Sequence, residues 1–161
     1  MSSMEDKKRT EPPFVPREGQ IDYTHAKVAP VISCIVMYNE KILLVQRSMT
    51  MNLHPGKWAG ISGFLDEPHK TVEEKVREEM REELGIVEED ILSIEEHSEV
   101  IEEEDEEYDK TWLFHPVLVT VGTDRIDLNW EGEQYEWVDP ADVHDFDLIP
   151  NFDKILDAFS L

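Results

Sequence analysis

The chain has 161 residues, 38 of them acidic against 15 basic, for a formal net charge of −23 at pH 7. That length is enough for one domain with its own core, and 40% hydrophobic residues argue against global disorder. The charge disfavours nucleic-acid polymers and anionic membranes, which are bound through Lys and Arg. The single cysteine, Cys34, excludes an internal disulfide and a multi-cysteine zinc site.

Residues 1–27 contain Pro12, Pro13 and Pro16 and show little periodicity, so a flexible tail is expected there and the folded domain over 28–161. No apolar run approaches the roughly 20 residues of a bilayer span. Met1–Thr10 has no apolar leader core, so a cytoplasmic location is expected. Val28–Tyr38 and Lys41–Arg47 predict two strands joined by a turn at Asn39-Glu40. Ser48–Lys57 reads as a loop, Trp58–Leu65 as one Gly-interrupted strand, and Asp66–Lys70 as a second loop.

Thr71–Leu84 carries the clearest helix signal. Thr71 with Glu74 makes a capping box, Gly85 fits the stop position, and Val72, Val76, Met80 and Leu84 form one apolar stripe. Strands are predicted again at Ile91–Val100, at Thr111–Val121 after the acidic segment Glu102–Asp109, and at Gln134–Val138. A helical turn is expected at Asp139-Pro140 and an amphipathic helix over Pro150–Phe159. Strands outnumber helices, which predicts an α/β fold of the α+β sandwich type with a mixed sheet flanked by helices.

Within the long helix Glu79, Glu82 and Glu83 stand at i, i+3 and i+4 and share one patch. Like charges so close destabilise a helix by several tenths of a kcal/mol per pair. Two readings fit: a solvated acidic face relieved by Lys75 and Arg81, or a seat for a hard cation such as Mg²⁺.

The stretch from Gly63 to Ile86 resembles the signature of the Nudix hydrolase family: Gly, five residues, Glu, seven residues, then Arg-Glu-apolar-x-Glu-Glu-x-Gly-apolar. Its second half matches as Glu79-Met80-Arg81-Glu82-Glu83-Leu84-Gly85-Ile86. Leu43–Arg47, Gly56-Lys57-Trp58 and Tyr135–Pro140 look like the same family, so the resemblance runs from Val28 to the C-terminus. The first half departs from the signature. Gly63 to Gly85 is one residue too long, and Lys70 and Glu78 stand where the signature has Glu and Arg. Anchoring on Gly63 instead would recover Arg77-Glu78, but it would turn Glu79 toward the core as an unpaired carboxylate, so that register is rejected. Lys70 and Glu78 are expected to form the family's pair with its charges exchanged.

The resemblance implies metal-dependent hydrolysis of a diphosphate linked to another moiety, on a small nucleotide or nucleotide-sugar substrate, with Mg²⁺ or Mn²⁺ as cofactor. It implies Glu79, Glu82 and Glu83 as catalytic residues and metal ligands, joined by the backbone of Gly63. Arg47 and Lys57 are candidate phosphate contacts, with surface ion pairs as their alternative. The resemblance allows the general base to be either a motif Glu or a carboxylate on a later loop, for which Glu102–Glu107 supplies candidates. Trp58, Trp112, Phe114, Trp130 and Tyr135 are open to either packing or base stacking, and a homodimer is one assembly the resemblance allows. Two alternatives remain: a non-catalytic nucleotide-binding or sensor domain, because of Lys70 and Glu78, and isopentenyl-diphosphate isomerase. The isomerase needs a reactive cysteine beside an acid, and Cys34 is expected to lie apart from the motif strand.

Overall fold

The computed structural model describes residues 27–161. The expected tail, apart from Lys27, lies outside the described residues. Strand β1 (Val28–Tyr38) runs through the centre of the sheet. It pairs in parallel with β7 (Lys110–Val121), from Val28 opposite Thr111 to Met37 opposite Thr120. On its other edge it meets β4 (Ile61–Phe64) antiparallel, Cys34 opposite Ile61. Only at the hairpin does β1 touch β2 (Lys41–Arg47), where Asn39 and Glu40 both take the left-handed conformation of a tight hairpin turn. Beyond the turn β2 diverges and pairs instead with β3 (Trp58–Ala59) and with β8 (Gly132–Val138).

The alternation of side chains along these strands builds a core on each face. Ile32, Cys34, Val36, Leu43 and Val45 point toward helix α1 (Val72–Leu84) and pack on its Val76, Met80 and Leu84. Ile35, Ile42 and Leu44 point the other way, onto Phe152, Ile155 and Leu156 of helix α2 (Phe152–Ala158). This is the expected sandwich with a mixed sheet. In α1 the Thr71–Glu74 capping box is formed in both directions, and Gly85 ends the helix at φ 68°. Gly85 therefore ends the helix, as the register anchored on it expects.

Three boundaries differ from the expectation. The segment Trp58–Leu65 is two strands, because β3 follows β2 while β4 follows β1. Gly60 makes the change of partner, and a Cβ there would fall 2.1 Å from the Cys34 carbonyl oxygen. The acidic segment begins with a strand, β6 (Ile101–Asp105), paired with the outer edge of β7, while β5 (Ile91–Glu96) ends short of Val100. Alternation in β6 is carried by half-buried Glu103 and Asp105 against exposed Glu102 and Glu104, so no apolar period marks it. Helix α2 is shorter than expected, since Asn151 at φ 69° turns the chain before it begins.

Candidate active site

The last two turns of α1 carry Glu79 and Glu83 over β4. Glu79 lies directly on Gly63, where a Cβ would come within 3.0 Å of its Cδ and 3.1 Å of its Oε1. A side chain at 63 would lift that carboxylate off the strand, which is the physical reason for a glycine. Glu83 stands in the middle of a row, sharing hydrogen bonds with Glu79 on one side and Glu131 on the other. Glu131 precedes β8 and is held by its main chain. Its N–H donates to Asn129 Oδ1 at 3.0 Å, and its carbonyl accepts from the Ser48 N–H at 2.8 Å. Arg47, Gly60, Ser62, Glu83, Asn129 and Glu131 line one cleft.

Hydrogen bonds between carboxyl groups require shared protons. Burial, reinforced by Glu79 and Glu131, pushes Glu83 well above the ordinary carboxylate range. Glu79 is pushed up from 4.5 to about 7, chiefly by burial, against the pull of Lys75. Among the described residues no three such groups yet surround a single point. The row nonetheless fits a hard divalent cation: it offers oxygen atoms only, burial raises the proton affinity of Glu79 and Glu83, and a cation would take the place of protons there.

A pH dependence follows. Glu79 binds its proton more tightly folded than unfolded, so between about 4.5 and 7 the folded state holds more protons and stability falls as pH rises. The metal-free protein is expected to melt at a lower temperature at pH 8 than at pH 6, and saturating Mn²⁺ is expected to flatten that slope. Scanning calorimetry at both pH values checks it, and a rise of melting temperature with pH in the metal-free protein would contradict it.

Beside the row lies an ion-pair network. Lys70 Nζ stands 2.9 Å from Glu78 Oε2 and 3.3 Å from Glu67 Oε1. The exchanged pair therefore exists, and its Glu78 is buried. Lys75, expected on a solvated face, is buried too and lies 3.2 Å from Glu79 Oε1. Burial disfavours its ammonium, but Glu79, Asp66 and Glu78 together hold it above its ordinary range.

The structure brings together Glu79, Glu83, Gly63 and Arg47 of the residues singled out from sequence. Arg47 lines the cleft, with its Nε donating to the Leu53 carbonyl at 2.7 Å. Glu82 is exposed and does not line the cleft. Lys57 turns away to pair with Asp147 at 3.0 Å. Of the candidates for the base, none of Glu102–Glu107 lines the cleft, and Glu103 pairs with Lys154; Glu83 of the motif and Glu131, which the sequence reading missed, do line it. The expected place of Cys34 is corrected, since it pairs directly with the motif strand. Its burial pushes the thiol well above its ordinary range, so it is inert, and the isomerase alternative falls on that ground. Trp112 packs between Phe64 and Phe114, and Trp58 packs on Phe146. Trp130, next to Glu131, is exposed.

Comparison with known proteins agrees with this fold. The family description "NUDIX domain" matches residues 27–159. Nucleoside triphosphatase NudI of Klebsiella pneumoniae strain 342 is 31% identical over 125 residues, covering 73% of this chain and 86% of that protein. Among solved structures, the MutT protein from Methanosarcina mazei Go1 superposes with a TM-score of 0.65 at 19% identity, covering 84% of this chain and 94% of that one. The NUDIX domain of Shewanella oneidensis NrtR, solved in complex with ADP ribose, gives 0.66 at 17% identity over 99% of this chain and 97% of that one. At such identities the structures speak for the fold alone, whereas the domain match and the NudI relative reach further. The chain belongs to the Nudix hydrolase family.

Proposed function

We propose that this Nudix pyrophosphohydrolase cleaves the phosphoanhydride of a nucleoside triphosphate or related nucleoside diphosphate derivative with Mg²⁺ or Mn²⁺. The observation that carries the reading is the cleft that Glu83 and Glu131 share with Arg47, with Glu79 beside Glu83 and over Gly63. The name of the NudI relative supports a nucleoside triphosphate as substrate.

Glu79 and Glu83 would hold the ion, with the Gly63 carbonyl beside them and exposed Glu82 acting through water. When bound, the ion offsets charge on the phosphate oxygens and acidifies water. Arg47 offers a guanidinium fork to phosphate oxygens. Glu131 accepts the proton of the attacking water, whose oxygen bonds to phosphorus as the bridging P–O bond breaks and its electron pair leaves with the departing phosphate. Exposed Trp130, next to Glu131 in the chain, would be available to a nucleobase. The proposed setting is the cytoplasm, as a monomer or homodimer.

The test is a panel of nucleoside di- and triphosphates, ADP-ribose and dinucleoside polyphosphates, each with Mg²⁺ or Mn²⁺ and followed by phosphorus NMR. Anhydride cleavage of at least one member, abolished by EDTA, is expected. Tight binding across the panel with no turnover would favour the sensor alternative.

A further inference from the structure

Lys75 faces three carboxylates, with Nζ 3.2 Å from Glu79 Oε1, 3.5 Å from Glu78 Oε2 and 3.5 Å from Asp66 Oδ1. All four side chains are buried. Of the three acids only Glu79 belongs to the row with Glu83 and Glu131, and the oxygen that Lys75 contacts is the one turned toward Gly63. An ammonium and a divalent cation at the same oxygen repel strongly in a poorly solvated site. The other two acids form a second seat for the ammonium. Glu78 is fixed there by Lys70 at 2.9 Å, so the seat persists whether or not Glu79 is engaged.

We propose that Lys75 is an internal counter-ion of the metal site. In the ion-free protein it holds Glu79; when a divalent cation arrives it shifts its weight to Glu78 and Asp66 and releases Glu79. Lys75 thereby weakens cation binding and sets the concentration at which the site fills, while keeping three buried carboxylates paired until then. The inference rests on Glu79 being a metal ligand, as read above. It makes Lys75 a positioning residue, since it acts on substrate only through Glu79.

Calorimetric titration of the metal-free protein with MnCl₂ alone, no substrate present, tests it. The variants are Lys75→Met, Lys75→Gln (which keeps a hydrogen-bond donor and guards against misfolding) and Arg81→Met. Arg81 is exposed on the same helix, so its loss makes the same change in net charge at a solvated position. Both Lys75 variants are expected to bind Mn²⁺ about tenfold more tightly than wild type. Arg81→Met is expected to stay within about twofold, because exposed charges are screened. The melting temperature of the metal-free Lys75 variants is expected to fall, and their gain on adding Mn²⁺ to exceed that of wild type. Lys75 variants that bind no more tightly than Arg81→Met would overturn the inference and leave the metal reading standing. Wild type without saturable Mn²⁺ binding, or with binding that Glu83→Gln leaves intact, would overturn both.

Discussion

Replacing Glu83 by Gln is expected to lower kcat/KM at least about a hundredfold, equivalent to about 2.7 kcal/mol of transition-state stabilisation. The substitution keeps shape and volume and removes one charge from the centre of the row, the only member in contact with both others. Because the charge acts where phosphate charge develops, the loss should fall mainly on kcat. The same change should raise the melting temperature of the metal-free protein. Burial and its two neighbours make the ionised Glu83 costly, and an amide carries no such cost. Opposite signs for activity and stability separate a functional glutamate from a structural one. Unchanged turnover would show that the ligand assignment is wrong.

The second large effect concerns the exchanged pair. Glu78→Arg alone sets a third cation against Lys70 and Lys75 in a buried spot, and a loss of about 3–5 kcal/mol is expected. Lys70→Glu alone puts a carboxylate beside Glu78 and Glu67 and should also destabilise, less severely, because position 70 is more open to water. Reversing both residues restores attraction between 70 and 78. It leaves Lys75 facing an arginine, however, so the rescue should be partial, and adding Lys75→Ala should not complete it, because that removes the cation held by Glu79 and Asp66 along with the repulsion. Urea unfolding of the two singles, the double and the triple variant measures this. If the double variant is no more stable than Glu78→Arg, the two side chains do not act as a pair.

How far such features are visible in the sequence depends on what marks them. The α1 cap, stripe and stop were legible because each has a local signature: Thr71 with Glu74, a four-residue apolar repeat, and Gly85. Glu79 and Glu83 were legible through spacing. Glu131 was not, since it is one carboxylate among 38 and joins the site only because β8 pairs with β2 and brings Asn129–Gly132 against Ser48. Its local trace is the Asn129 and Gly132 turn, which marks a bend without naming its purpose. Lys75 was missed for a related reason. Helix spacing placed it near Glu79 but could not show that Asp66, from the preceding loop, would close over it. Strand β6 hid because its inward positions are acidic, with Asp105 accepting from Trp112 Nε1 at 3.0 Å.

Gly60 touches both halves of the molecule. Toward α1 it lines the cleft with Arg47 and Glu83; toward α2 its backbone lies against the Phe152 ring, where a Cβ would come within 3.3 Å. At this point a residue without a side chain, followed by Ile61 and Ser62, is the partition between the place where phosphate would be handled and the apolar packing of the terminal helix. Rearranging that helix, by truncation or by bulk at Phe152, presses on the chemistry from behind through backbone alone. Distance along the chain is a poor guide to mechanical insulation in this protein.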